Sequence, residues 1–130
     1  MKRKRKFDTK QLVKAFALLR KMGFLALRNV SDCNSCSWAK ISQDYSDHLN
    51  CPVMFSHQQA EDSMKEDGIL FLNFGMLIGE GEPGHSPWVN DAVLVAIIKE
   101  AVKVFESCGL KVSWDETTAH KVEVSLPEVD

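Results

Sequence analysis

Residues 69–74, with the sequence Ile69-Leu70-Phe71-Leu72-Asn73-Phe74, decide the fold. The run begins directly after Gly68 and is apolar at both odd and even positions. An apolar run of this kind, too short for a typical helix, indicates a strand that is buried on both faces of a sheet. We therefore expect residues 69–74 to form a central strand around which the rest of the chain is arranged.

The chain before this strand alternates between helical and strand-like patterns. Apolar residues recur at helical spacing over residues 8–22 and again over residues 37–49. Residues 24–30 and 53–55 are short apolar runs typical of strands. Residues 57–67 are polar and predict a helical turn or two that ends before the central strand.

The chain after the central strand predicts a loop, a long helix and a hairpin. The loop, residues 79–87, contains three glycines and two prolines, which exclude a helix. Ser86 and Pro87 are suited to begin the long helix, which ends at Gly109. Residues 110–114 and 120–124 then alternate between apolar and polar, which predicts an antiparallel pair.

These elements predict one α+β domain. A single two-layer α/β sandwich, with a mixed sheet of about five strands, two main helices and a C-terminal β-hairpin, gives each helix a surface on which to bury its apolar face. We expect this domain to span residues 8–126. A basic flexible tail at residues 1–7 precedes it, and a C-terminal tail at residues 127–130 follows it.

Composition indicates the class of protein and its cellular location. Hydrophobic residues make up 45% and charged residues 26%, which is ordinary for a globular protein. The longest apolar run, residues 92–98, is far shorter than the ~20 residues of a membrane span. The basic start is followed by an amphipathic helix rather than by the apolar core of a secretory signal. We therefore expect a cytoplasmic protein with no membrane partner.

Charge divides the chain into a basic tail and an acidic body. The formal net charge is -2, but without the basic residues 2–6 the body has 11 basic and 18 acidic residues. The acidic clusters at residues 61–62 and 66–67 are expected to be solvated. An acidic body disfavours nucleic acid as a partner, except through the Lys2–Lys6 tail. The expected partner is an unidentified protein, and the oligomeric state stays open.

The segment Cys33-Asn34-Ser35-Cys36 follows the strand predicted at residues 24–30. Two cysteines at this spacing can hold one Zn²⁺ ion or cycle between a dithiol and a disulfide. A zinc site needs further ligands, and the candidates are Cys51, His48, His57 and His85. Free thiols with only a local packing role are the third interpretation, because a reducing compartment disfavours a disulfide framework.

The segment His57-Gln58-Gln59 follows the strand predicted at residues 53–55. An imidazole beside two amides offers a titratable group and several hydrogen-bonding groups, as expected of a cluster that orients a ligand. The alternative is that these residues cap the next helix. The sequence leaves both interpretations open.

The order of Cys33-x-x-Cys36, His57-Gln58-Gln59 and Gly109-Leu110-Lys111-Val112-Ser113-Trp114 resembles a family of small uncharacterised bacterial proteins catalogued as a domain of unknown function. The resemblance covers residues 10–125. The chain departs from the family pattern at Asp32, at Ser37 and after the two glutamines. Since the family has no established activity, the resemblance implies a bacterial or phage origin and the positions of the motifs.

Three functions are compatible with these residues. The incomplete catalytic set favours a non-enzymatic protein-interaction module of the inhibitor or immunity type. The alternative is a metal-assisted or thiol-dependent enzyme that uses Cys33, Cys36 and His57, with Gln58 or Gln59 orienting its substrate. The third is a small structural domain stabilised by zinc.

Overall fold

The protein is described by a computed structural model that covers residues 6–45, 51–77, 83–84 and 91–129. These residues form four helices, which are α1 (Lys10–Lys21), α2 (Asn34–Asp44), α3 (Gln58–Asp67) and α4 (Asp91–Ser107). They also form eight strands, which are β1 (Lys6–Phe7), β2 (Leu25–Leu27), β3 (Cys51–Phe55), β4 (Ile69–Leu77), β5 (Pro83–Gly84), β6 (Lys111–Ser113), β7 (Val122–Ser125) and β8 (Glu128–Val129).

The main sheet has the strand order β2-β3-β4-β7-β6, and the short β5 pairs with the end of β4. Only β2 and β3 are parallel among these pairs, and the others are antiparallel. The strand predicted at residues 69–74 is central, because β4 pairs with β3 on one side and with β7 on the other. The predicted hairpin of β6 and β7 is also present, with Val112 opposite Val124.

The larger hydrophobic core lies between the sheet and two helices, α1 and α4. Its largest fully buried helical side chains are Leu12, Phe16, Leu19, Leu94, Ile98 and Phe105. The central strand contributes Leu70 and Leu72 from its even-numbered positions. This packing gives the two main helices of the predicted sandwich one common sheet face.

A smaller core lies on the other face of the sheet, where α2 packs. Ile41 of α2 is buried with Val53 and Phe55 of β3. Trp38 stands edge-on to Phe55, with ring centroids 5.0 Å apart. The α+β class and the mixed sheet are therefore confirmed, and α2 adds a partial layer to the predicted sandwich because β2 and β3 are apolar on both faces.

Helix ends explain where the structure differs from the predicted boundaries. Cys33 is extended, with φ -138° and ψ 176°, so that α2 begins at Asn34 and not at residue 37. Likewise, α3 begins directly after an extended His57. Gly68 ends α3 in the left-handed region at φ 77°, and the ring of Phe7 occupies the space that a Cβ atom on this glycine would need.

The structure also differs from the two predicted tails. β1 and β8 pair in a two-stranded antiparallel sheet, with Lys6 opposite Val129 and Phe7 opposite Glu128. Phe7 packs against the larger core, and the Asp8 amide donates to the Pro127 carbonyl at 2.9 Å. Apolar contact and backbone pairing therefore hold both termini of the described chain against the domain.

Some predictions concern residues outside the described ranges. These are the basic tail before Lys6, the ligand candidates His48 and His85, most of the loop at residues 79–87 and the start of the long helix at Ser86 and Pro87. Among the described helices, none has the length and apolar character needed to cross a membrane.

Candidate functional site

The ends of β2 and β3 meet at one edge of the sheet because the two strands are parallel neighbours. The Ser56 carbonyl accepts from the Val30 amide, and the Ser56 hydroxyl accepts from the Asn29 amide, each at 3.0 Å. The Gln58 amide donates to the Ser31 carbonyl at 2.7 Å. The two polar segments that follow these strands therefore form one connected backbone unit.

A partly buried ion pair fastens this edge to α3. Arg28 donates to both carboxylate oxygens of Glu61, with its Nε atom at 3.1 Å and its Nη2 atom at 2.7 Å. The Ser56 hydroxyl donates to Glu61 Oε2 at 2.5 Å. Burial opposes ionisation of Glu61, but these hydrogen bonds and the Arg28 charge outweigh it and lower the pKa of the carboxyl. We call Arg28, Ser56 and Glu61 the carboxylate clamp.

Cys33 and Cys36 lie at the N-terminus of α2, and we call them the thiol pair. Cys33 occupies the N-cap position, and its carbonyl accepts from the Ser37 amide at 2.9 Å. Its Sγ atom lies 3.5 Å from the Ser35 hydroxyl oxygen. Cys33 is partly exposed and Cys36 is exposed, so that both sulfurs are accessible to reactants.

The two thiols differ in acidity. Hydrogen bonds from the Ser35 hydroxyl, and then from the amide and thiol of Cys36, lower the pKa of Cys33 to about 7. The hydrogen bond with Cys33 and the repulsion from its thiolate raise the pKa of Cys36. The N-terminus of a helix further favours an anion at Cys33. The thiolate form is therefore favoured at Cys33 over Cys36.

Cys51, a predicted zinc ligand, is separated from the thiol pair. It lies at the start of β3, at the opposite end of the parallel strands, and its thiol donates to the Gly23 carbonyl at 3.0 Å. Within the described ranges, no three His, Cys, Asp or Glu side chains are grouped so that they could hold a metal ion. Zinc binding stays a prediction that would need ligands from other parts of the chain, such as His48.

His57 is buried and contacts α3 and Lys121, the residue before β7. Its Nδ1 atom accepts from the Ala60 amide at 3.2 Å, which caps α3, and its Nε2 atom lies 3.4 Å from Lys121 Nζ. Burial, and then the charge of Lys121, lower the pKa of the imidazole. Gln58 and Gln59 are exposed on the first turn of α3.

The structure thus brings the two predicted motifs to one edge without joining their side chains. Among the hydrogen bonds of the described residues, none links His57 to Cys33 or Cys36. The imidazole has the capping role that the sequence left open as an alternative. A catalytic role for His57 beside the two thiols stays a prediction.

Sequence reasoning missed the carboxylate clamp and the effect of Ser35. Glu61 was expected to be solvated, but its side chain is only 10% exposed. It is 33 residues from Arg28 in the chain, a separation that leaves no periodic signal. Ser35 could have been found, because a hydroxyl between two cysteines in the first turn of a helix is placed to donate to the first sulfur.

Comparison with known protein families matches residues 3–128 to DUF6891, a domain of unknown function. The chain belongs to this family. The carboxylate clamp, the thiol pair and His57 all lie inside the DUF6891 match. The resemblance to an uncharacterised family is therefore confirmed, and the bacterial or phage origin stays a prediction. Neither the curated proteins nor the solved structures contain a match to the chain.

Proposed function

We propose that the thiol pair of this DUF6891 domain carries out thiol–disulfide exchange, with Cys33 as the attacking thiol and Cys36 as the resolving thiol. The observation that carries this proposal is the placement of an acidified, accessible Cys33 at the N-cap of α2, with Cys36 in the next turn. A thiolate is the nucleophile in such exchange, and a pKa near the ambient pH is the most effective for attack.

The reaction consumes one substrate disulfide and leaves one protein disulfide. The Cys33 thiolate attacks a sulfur of the substrate, forms a mixed disulfide and releases the first substrate sulfur as a thiolate. Cys36 loses its proton to solvent, and its thiolate attacks the Cys33 sulfur and releases the second substrate thiolate. Two electrons thus pass from the thiol pair to the substrate. Two molecules of a low-molecular-weight thiol such as glutathione then return the pair to the dithiol and are themselves oxidised to one disulfide.

The other predicted functions have less support from the described residues. The interaction module is predicted from the acidic charge of the body and not from a surface feature of the described residues. The exposed large apolar side chains among these residues are Val13, Met22, Val93 and Val129. The protein partner, the zinc-stabilised domain and the cytoplasmic location stay predictions.

The proposal is tested by measuring the rate at which iodoacetamide alkylates Cys33 as a function of pH, with peptide mapping by mass spectrometry. The rate should rise through a midpoint near pH 7 in the folded protein. The same peptide in the urea-unfolded chain is the matched control, with a midpoint near the ~8.5 of an ordinary cysteine. Equal midpoints in the folded and unfolded chains would overturn the proposal.

Two substitutions separate the roles of the cysteines. With an aromatic disulfide as substrate, Cys36→Ser should accumulate a stable mixed disulfide at Cys33, because the resolving thiol is absent. Cys33→Ser should release the aromatic thiol much more slowly than the unchanged protein. If Cys33→Ser reacts as fast as Cys36→Ser, the assignment of the two roles is wrong.

A further inference from the structure

A cavity that does not include the thiol pair lies between α2 and the segment that leads into β7. It has a volume of about 300 Å³. Its lining residues are Trp38 of α2, Asn73 and Phe74 of β4, and residues 118–121. An aromatic ring, a buried amide and a lysine therefore border one space on the sheet face that α2 covers only in part.

Asn73 is the first sign that this cavity takes a ligand. It lies in the central strand opposite Phe55 and is 8% exposed. Its Nδ2 atom is fully buried, and it makes no hydrogen bond within the part of the chain that the structure describes. Burying an amide donor without an acceptor costs roughly 1–3 kcal/mol, so a polar group in a core strand requires an explanation.

His57 and Lys121 give an independent second sign. Because Nδ1 of His57 accepts from the Ala60 amide, the neutral ring carries its proton on Nε2. That N–H group faces the Lys121 ammonium, whose Nζ atom is 3.4 Å away and which can only donate. Two donors at this distance do not bond to each other, so that the exposed Lys121 ammonium can donate to an acceptor in the cavity that it borders.

Lys121 connects these two observations. Leu72 pairs with Val122, so the next positions along the two strands are Asn73 and Lys121. The lysine therefore borders the cavity beside Asn73 and also contacts His57.

We propose that this cavity binds an oxyanion, the carboxylate or phosphate group of a small acidic molecule. One oxygen accepts from Lys121, a second accepts from Asn73 Nδ2, and Trp38 covers an apolar portion of the ligand. Charge-assisted hydrogen bonds to a buried amide and an ammonium are the interactions that select such a group. The thiol pair has no part in this binding.

The test is a titration of the ¹⁵N-labelled protein with sodium phosphate and, separately, with sodium acetate, at constant ionic strength. The Asn73 side-chain amide signals should shift and saturate with at least one of the two anions. Saturation by phosphate alone assigns a phosphoryl group, and saturation by acetate alone assigns a carboxylate. If neither anion saturates these signals, the proposal is overturned.

Substitutions show whether binding depends on the proposed donors. Lys121→Gln should weaken binding about ten-fold or more, since it removes a charged hydrogen bond. Lys111→Gln, at an exposed lysine on β6, is the matched control and should leave the affinity unchanged. Asn73→Leu should abolish saturable binding, and Lys121→Gln tests the same site without changing a buried side chain. Equal affinities for Lys121→Gln and Lys111→Gln would contradict the proposal. Cys33→Ser should still bind the anion, which separates this site from the thiol chemistry.

Discussion

Replacing Glu61 by glutamine removes the charge of the carboxylate clamp while preserving the size of the side chain. The carboxylate accepts from Arg28 at two atoms and from Ser56 at one. Glutamine keeps one acceptor oxygen, but its side-chain nitrogen is itself a donor and would face the donor groups of Arg28 or Ser56. The Arg28 side chain, which is 25% exposed in the folded protein, then loses its counter-charge.

The expected cost lies between that of a buried and that of an exposed ion pair. Removing one partner of a buried pair costs roughly 3–5 kcal/mol, whereas an exposed pair is worth about 0–1 kcal/mol. Side-chain exposures of 25% for Arg28 and 10% for Glu61 place this pair nearer to the buried case. Discounting for water at Arg28, we expect Glu61→Gln to lower the free energy of unfolding by about 2–3 kcal/mol.

Urea unfolding at pH 7 measures this cost. With a slope of roughly 1–3 kcal/mol per M, the midpoint should fall by about 0.7–3 M. Glu66→Gln, an exposed change on the same helix, is the matched control and should change stability by less than about 0.5 kcal/mol. Because the folded pKa of Glu61 is lowered, its contribution is fully present above the unfolded pKa and is lost as the pH falls. The difference between the two chains should therefore shrink in acid.

A double-mutant cycle that combines Glu61→Gln with Arg28→Met measures the interaction energy between the two side chains. The double substitution should cost about 1–2 kcal/mol less than the sum of the single substitutions, because each single change leaves the other partner unpaired. Additive costs, or a loss below about 0.5 kcal/mol for Glu61→Gln, would refute the reasoning that the clamp fastens this edge of the sheet.

Three further outcomes follow from individual contacts. Ser35→Ala should move the alkylation midpoint of Cys33 to higher pH, because the largest cause of its lowered pKa is lost; an unchanged midpoint would contradict this. Ser37→Ala should raise the free energy of unfolding by about 1 kcal/mol in urea, since the buried Ser37 hydroxyl has no hydrogen-bond partner in the described chain. Because the pKa of His57 is lower in the folded chain than in the unfolded chain, the unfolded chain takes up a proton at higher pH as the solution is acidified. The free energy of unfolding should therefore fall as the pH drops below about 6.5. His57→Asn, which keeps a capping side chain, should fall less steeply over that range, and parallel curves would exclude a contribution from this imidazole.

The fold was largely predictable because its main signals are local. The central strand follows from one run, residues 69–74, that is apolar on both faces, and the hairpin follows from alternation at residues 110–114 and 120–124. The termini were not predictable in this way. β1 and β8 have only two residues each, and their pairing depends on Phe7 reaching the larger core.

The candidate site was predictable only in its position. The sequence placed Cys33-x-x-Cys36 and His57-Gln58-Gln59 after two strands, and parallel pairing of those strands brings the segments together. It could not show that His57 turns its ring toward α3 and Lys121, 64 residues further along the chain. The burial of Asn73 beside a cavity is likewise a tertiary property, since a single polar residue in a strand has no periodic pattern.

Disulfide exchange by the thiol pair is measured by equilibrating the protein with glutathione buffers of graded potential and mapping its disulfides by mass spectrometry. We expect a reversible Cys33–Cys36 disulfide with a midpoint within the range of about -270 to -120 mV found for catalytic pairs. Cys51 and Cys108 should stay outside this disulfide. Oxidation that yields only glutathione adducts on separate cysteines, with no Cys33–Cys36 disulfide at any potential, would contradict the account.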